Sequence, residues 1–269
     1  MVTFPPCKIN LGLTIINKRE DGFHNLETCF YPVPFTDVLE ILPAEEISFT
    51  TSGNVIPGKS EDNICLKAFR LIQEKFNIGN VNIHLHKVIP TGAGLGGGSS
   101  DAASTLMLLN AIFELNISES DLIHFASMLG SDCAFFIHNK PMIGTGRGEI
   151  LHPVELTLKN KFLVIIDPEI HISTADAFAK IIPSKKEISI PSILQMPIHQ
   201  WRSVLINDFE VSVFNKHPAL NSIKESLYEA GAVYASMSGS GSAIYGLFDE
   251  KVNLKHLPFN ILWKDWLSN

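Results

Sequence analysis

The stretch IPTGAGLGGGSSDAA, from Ile89 to Ala103, places glycine at 92, 94, 96, 97 and 98 and then runs straight into an alanine-rich segment. Glycine costs conformational entropy on folding. A folded chain therefore concentrates it for a tight turn, for positive φ angles, or for a ligand that must touch the backbone. Upstream, VNIHLHKVIP alternates, with Val81, Ile83 and Leu85 on one parity, and this predicts a strand. Downstream, AASTLMLLNAIFEL predicts a helix, with Ser99, Ser100 and Asp101 expected as its cap residues. Strand, glycine loop and helix in this order outline a phosphate site. Glycines let N–H groups approach an anion, and a helix start adds unpaired N–H groups and the positive end of its dipole.

Three phosphate-binding patterns compete for this segment. The pattern G-x-x-x-x-G-K-[ST] fails because no lysine precedes Ser99. The dinucleotide pattern G-x-G-x-x-G is matched by Gly92, Gly94 and Gly97, but its context is wrong. Pro90 interrupts the strand exit, and the helix leads to another helix instead of a second strand ending in an acidic residue. A protein-kinase glycine loop would need HRD and DFG elsewhere, and neither is in the chain.

Composition bounds the rest. With 269 residues, 45% apolar and 18% charged, the chain has the balance of a folded protein, not a disordered one. Its net charge of −7, without any Lys/Arg block, argues against nucleic acid as a partner. Cys7, Cys29, Cys65 and Cys133 lie far apart without metal-ligand spacing, so they are expected as small buried hydrophobes, and no metal site is predicted. No secretory signal pattern opens MVTFPPCKINLGLTI, and no run approaches the ~20 apolar residues of a membrane span. The expectation is a soluble, cytoplasmic protein without a membrane partner.

KINLGLTIIN alternates Ile9, Leu11, Leu13 and Ile15 against Lys8, Asn10, Gly12 and Thr14, and Asp21-Gly22 then signals a hairpin turn. FHNLETCFYPV is the predicted return strand, and DVLEILPAEEISFTTSG predicts further strands. DNICLKAFRLIQEKFN predicts a helix capped by Asp62 or Asn63. SESDLIHFASMLG predicts another, with Ser118 and Asp121 at capping-box spacing. The apolar run KFLVIID reads as a buried strand opening a second unit, with helices from Thr174, Ile198 and Pro218 and a closing pair of strands in AVYASMSGSGSAIYGLF. Mixed elements without regular βαβ alternation favour the α+β class.

PTGAGLGGGSSDAA resembles the nucleotide loop of the GHMP kinases, which phosphorylate small-molecule hydroxyls with ATP. PPCKINLGLTIINKREDGFHNLET, LGSDCAFFI, NDFE and MSGSGSAIYGLF are similar to further motifs of one branch of that family, in the same order from residue 5 to 248. The resemblance implies a two-domain fold. A nucleotide domain like ribosomal protein S5 domain 2 would cover residues 1–153, and an α/β-sandwich (ferredoxin-like) domain 154–269. It implies ATP held by Pro90, Thr91, Gly92, Ala93, Gly94, Leu95, Gly96, Gly97, Gly98, Ser99 and Ser100, with Mg²⁺ carried on the ATP. The implied acceptor is a small molecule bearing a cytidine diphosphate group, phosphorylated at the 2-hydroxyl of 4-diphosphocytidyl-2-C-methyl-D-erythritol on the non-mevalonate route to isoprenoid precursors.

The same resemblance implies roles for residues that the pattern alone leaves open. Lys8 would lie beside the reacting hydroxyl, where a cation suits charge building on transferred oxygens. Asp132 reads from sequence equally as a helix cap; the resemblance makes it the proton acceptor. Asn10, Phe23, His24, Lys87 and Phe178 would bind substrate, with Phe23 and Phe178 flanking the cytosine. The chain has Phe23 where the family usually has Tyr, Cys133-Ala134 where Val-Pro is usual, and Ser238 where Thr is common. A homoserine- or mevalonate-type kinase, or a nucleotide-binding regulator without catalysis, is the alternative reading. A nicotinamide oxidoreductase is more distant.

Overall fold

Alternating aliphatic segments become strands wherever one parity can be buried, and the computed structural model shows which parity that is for residues 1–178, 181, 183, 186–254 and 259–268. Strands β1 (Val2–Thr3), β2 (Pro6–Lys18), β3 (His24–Thr36), β4 (Val38–Ala44) and β5 (Ser48–Gly53) come first. Then follow α1 (Ile64–Phe76), β6 (Asn80–Lys87), α2 (Gly97–Ile112), α3 (Glu119–Leu129) and α4 (Cys133–His138). Next are β7 (Met142–Thr145), β8 (Ile150–Pro153), β9 (Phe162–Asp167), α5 (Thr174–Phe178) and α6 (Ile190–Leu194). The chain closes with α7 (Phe209–Lys216), α8 (Pro218–Glu229), β10 (Tyr234–Met237), β11 (Ile244–Phe248) and β12 (Asn260–Trp266).

Two compact units emerge, each assembled from separated stretches. One comprises residues 1–8, 34–91 and 96–140; the other comprises 9–33, 92–95 and 141–269. The first carries a sheet of order β1-β4-β6-β5, antiparallel except where β5 runs parallel to β6. Burial along β6 alternates, with Val81, Ile83, Leu85 and Lys87 inside, while β5 and the other parity of β6 present a Ser, Thr and His ladder to solvent. Only one face of such a sheet is covered by helices, as antiparallel sheets allow. Asn63 caps α1 by accepting the Cys65 N–H at 2.9 Å. Ser118 likewise caps α3, accepting the Asp121 N–H at 3.2 Å.

The second unit holds the sheet β10-β11-β9-β12, all antiparallel, and most of the sheet β2-β3-β7-β8. Residues 6–8 of β2 and 34–36 of β3 belong to the first unit. KFLVIID becomes β9, buried throughout from Phe162 to Ile166, because strands pair with it on both edges. Its core gathers Leu13, Ile15, Phe162, Val164, Phe209, Leu220, Leu227 and Met237. Arg19 closes the β2–β3 hairpin by donating its N–H to the Phe23 carbonyl at 2.8 Å, with Gly22 at φ 85° in the turn. All four cysteines are buried and free, as their isolation predicted. Among the described residues, no helix is long and apolar enough to cross a membrane.

Candidate active site

The glycine loop answers the question its composition raises. φ is positive at Gly92 (77°), Gly94 (77°) and Gly96 (71°), a region side chains rarely adopt. A Cβ on Gly96 would stand 2.9 Å from the Phe136 ring, and one on Gly97 would stand 2.9 Å from both the Ile89 side chain and Lys87 Nζ. Gly98 differs: its φ is unremarkable, and a Cβ there would meet nothing within 4 Å.

The loop enters α2 at Gly97, with Gly96 as N-cap and no side chain capping the helix. This corrects the expectation that Ser99, Ser100 and Asp101 are caps. The left-handed Gly96 turns the chain into the helix earlier, so those residues lie inside its first turns. The intrahelical ladder opens with the Ser100 N–H donating to the Gly96 carbonyl at 3.0 Å, so the N–H groups of Gly97, Gly98 and Ser99 precede it. A helix start with no cap side chain and a glycine approach is chemically suited to bind an anion.

In the same unit, Lys8 Nζ lies 3.6 Å from Asp132 Oδ2; the Lys8 side chain is 4% exposed and that of Asp132 is 32%. Lys8 was legible as the polar parity of a strand, a parity usually solvated. Here both parities of β2 are buried from Cys7 to Ile15. Burial draws the Lys8 ammonium below the ordinary lysine value, and the Asp132 carboxylate partly restores it. Asp132 stands at the N-cap position of α4, yet it makes no capping bond, and its φ, ψ of −84°, −11° are helical. Its carboxylate is committed to Lys8 instead. Burial raises the neighbouring Cys133 thiol to about 11, although the Ser99 hydroxyl pulls it down.

Lys87, expected among the substrate-binding residues, is 3% exposed and donates to Asp37 Oδ2 at 2.5 Å and Asp101 Oδ2 at 2.7 Å. A buried ammonium needs counter-charge, and two carboxylates provide it.

The second unit holds the other sequence-predicted residues. Asn10 is buried; its Nδ2 donates to Thr28 Oγ1 at 2.9 Å, and its carbonyl accepts from Tyr245 Oη at 2.7 Å. Phe178 stacks on His24, with centroids 4.9 Å apart and planes at 22°, and meets Phe209 edge-on at 4.7 Å. Phe23 is 52% exposed and carries the Arg147 guanidinium over its ring at 4.9 Å. The structure thus pairs Phe178 with His24, while Phe23 is paired with Arg147.

Sequence reasoning gave no role to several residues of this unit. Asn207 donates to the carbonyls of Met237 and Gly239, both at 2.8 Å, and so holds the loop of SMSGSGS. Glu210 accepts from the Met237 N–H at 2.8 Å and from Ser236 Oγ at 2.9 Å, and Lys224 pairs with its other oxygen at 2.6 Å. Ser238 Oγ in turn donates to the Gly94 carbonyl at 2.8 Å, and the Ala243 N–H to the Ala93 carbonyl at 3.0 Å. The local signals were the runs NDFE and MSGSGSAIYGLF, neither of which shows what it binds.

The chain resembles known proteins over nearly its whole length. The model of the GHMP kinases N terminal domain matches residues 63–140, and that of the GHMP kinases C terminal domain matches 196–257. A Cytophaga hutchinsonii protein named 4-diphosphocytidyl-2-C-methyl-D-erythritol kinase is 49% identical over 95% of this chain and 95% of its own length. A Bacteroides thetaiotaomicron protein of the same name is 52% identical over 100% of this chain and 97% of its own. The crystal structure of a 4-(cytidine 5'-diphospho)-2C-methyl-D-erythritol kinase superposes with a TM-score of 0.80 at 32% identity, covering 92% of this chain and 90% of that one. The Methanococcus jannaschii mevalonate kinase shares the fold alone, with a TM-score of 0.74 at 15% identity over 100% and 98% of the two chains.

Proposed function

The chain belongs to the 4-diphosphocytidyl-2-C-methyl-D-erythritol kinases of the GHMP kinase family, and from that premise we propose how its residues transfer the γ-phosphate of ATP to the 2-hydroxyl of 4-diphosphocytidyl-2-C-methyl-D-erythritol. The observation that carries the assignment of roles is the buried Lys8 held 3.6 Å from a partly exposed Asp132 whose carboxylate is not used as a cap. As the substrate oxygen bonds to the γ-phosphorus, the bond to the β,γ-bridging oxygen breaks and its electron pair leaves with ADP. The hydroxyl proton passes to Asp132. Lys8 faces the charge on the transferring oxygens, and its fixed position costs no reorganisation during the step. This fixed charge acts together with proton acceptance by Asp132.

Within the Pro90 to Ser100 loop, the backbone N–H groups of Gly97, Gly98 and Ser99 at the α2 start cradle the ATP phosphates, with Lys87 Nζ close against Gly97. Among the described residues, no three His, Cys, Asp or Glu side chains converge as a metal cage. Mg²⁺ is therefore proposed to arrive with ATP, held mainly by phosphate oxygens and water. Asn10, Phe23, His24 and Phe178 take the cytidine end, with aromatic faces for the base. Division at 153/154 into N- and C-terminal GHMP domains belongs to the same proposal, supported by where the two family models match. A cytoplasmic setting fits a chain with four free cysteines.

The decisive experiment is ATP-dependent turnover of this substrate by purified protein, with the product identified by mass. Phosphorylation of homoserine or mevalonate in its place would discard the substrate and keep the fold. ATP binding without transfer to any alcohol would favour a regulator.

Two further outcomes are expected. Because Lys8 must stay cationic and its affinity for the proton is lowered, activity is lost as pH rises through a value below the ordinary lysine value of roughly 10.4. The alkaline limb of kcat/KM should therefore sit below that value and shift upward in Lys8→Arg. A limb unchanged in that variant would remove Lys8 from the profile. His24→Ala should raise KM for the cytidine substrate about tenfold, the size of one lost stacking and polar contact, with KM for ATP nearly constant. Equal changes in both constants would mean that the His24–Phe178 stack is only structural.

A further inference from the structure

We propose that Asp37, Lys87 and Asp101 form a proton-binding strut that sets the pose of the phosphate loop, and that Asp101 takes up a proton as ATP binds. The proposal rests on the reading of Pro90 to Ser100 as the ATP loop. Its geometry lies at the two ends of that loop. On the entry side, Asp37 Oδ1 accepts the N–H groups of Val88 at 2.6 Å and Ile89 at 2.8 Å, fixing the exit from β6. Asp37 Oδ2 accepts from Lys87 Nζ, which also donates to Asp101 Oδ2 in the first turns of α2. A chain of two ion pairs therefore ties the residues entering the loop to those leaving it. All three side chains are at most 2% exposed.

The charge count makes the strut a proton site. Two carboxylates around one ammonium leave a net negative charge in a dry interior, where an uncompensated ion costs more than its neutralisation. The two acids are not equally held. Asp37 accepts two backbone N–H groups and the ammonium, whereas Asp101 Oδ1 is buried with no hydrogen-bond partner among the described residues. A proton taken up by the strut therefore goes to Asp101. Burial and the Asp37 carboxylate raise Asp101 to about 7, against the pull of Lys87. Lys87 itself is lowered by burial but raised more by the two carboxylates, so it stays charged.

The other titratable groups near the strut are the Cys65 thiol of α1 and the Cys7 thiol of β2, and burial pushes both upward, so they stay neutral. Asp132, at the head of α4, is paired with Lys8. Glu40 of β4 falls on the sheet parity opposite Leu39 and Ile41, and the charged side chains of α3 face solvent.

ATP brings several negative charges to the loop, and an ionised Asp101 in the first turns of α2 repels them. Bound phosphate therefore favours the protonated acid and, by reciprocity, the protonated acid favours ATP. Affinity should be higher at pH 6 than at pH 8.

The test is calorimetric titration of magnesium-ATP into the full chain, in buffers of different ionisation enthalpy, with Asp101→Asn alongside. With Asp101 near 7, the wild type at pH 7 should take up about half a proton per ATP more than Asp101→Asn does. Protons released by ATP itself are common to both proteins and cancel in the difference. Wild-type affinity should fall about fivefold more than that of Asp101→Asn between pH 6 and pH 8. Asp101→Ala, checked for folding by circular dichroism, should bind ATP about tenfold more weakly, with Asn restoring most of the loss because its amide oxygen still accepts from Lys87. Equal proton uptake by wild type and Asp101→Asn would overturn the proton site, and equal affinity of the Ala and Asn variants would overturn the strut. A wild type that bound no ATP would instead overturn the kinase reading on which both depend.

Discussion

Asp132→Asn is expected to lower kcat about a thousandfold, a barrier increase of about 4 kcal/mol, while ATP affinity changes less than about threefold. Asparagine keeps the shape and an oxygen for Lys8 but cannot accept the hydroxyl proton. The fold should hold, because the Asp132 side chain makes no capping hydrogen bond to α4 and is about one-third exposed. What is lost is the counter-charge of the buried Lys8 ammonium 3.6 Å away, offset in part because the Asn oxygen still accepts from Lys8 and the Asp132 side of the pair is open to solvent. Single-turnover measurement isolates the chemical step, and the thermal midpoint checks the fold. A variant that retains a tenth of wild-type kcat would show that the proton leaves by another route. Lys8 would then be the larger contributor through charge stabilisation alone. A loss carried by KM for the cytidine substrate would instead make Asp132 a binding residue.

What could be read from sequence depended on whether the determinant was local. The passage from β6 through the glycines into α2 was legible because period two gives way to period 3.6 across a cluster that only backbone demands explain. The start of α2 was misplaced because Ser99 to Asp101 have cap chemistry, whereas the backbone at Gly96 decides where the helix begins. α4 escaped notice because CAFFIH is too short to show a period, and β7 and β8 because GTGRGEIL hides a hairpin between two short strands. Lys87 shows the limit most clearly. Its parity placed it inward, as the structure finds, but its fate depended on Asp37, fifty positions earlier in a segment with no motif. Asn207 is similar, since the carbonyls it holds are thirty residues away. Residues quoted in a motif could be placed on the chain, but the long-range partners that hold them could not.

Gly94→Ala should cost about 4 kcal/mol or more and abolish ATP binding, because two independent penalties fall on the same atom. The first is conformational: φ of 77° costs an L-residue about 1–2 kcal/mol. The second is steric: the new Cβ would stand 2.0 Å from the Ser238 carbonyl oxygen and 3.2 Å from that of Gly241, and both obstacles are backbone. Neither loop can yield cheaply. Ser238 Oγ is bonded to the Gly94 carbonyl, and Asn207 holds the carbonyls on either side of Ser238. A fall in thermal midpoint of about 10 °C follows for a chain of this size. Gly98→Ala is the matched comparison. There φ is ordinary and a Cβ meets open space, so folding imposes no need for glycine, and alanine should leave the midpoint unchanged or raise it slightly. If the glycine at 98 exists to let phosphate approach the backbone, Gly98→Ala will fold normally and bind ATP at least tenfold more weakly. Normal ATP affinity in Gly98→Ala would confine the phosphate contact to other N–H groups of the loop. A Gly94→Ala protein with wild-type midpoint would mean that the loop has an alternative path around Ser238, and the cradle would no longer be a rigid one.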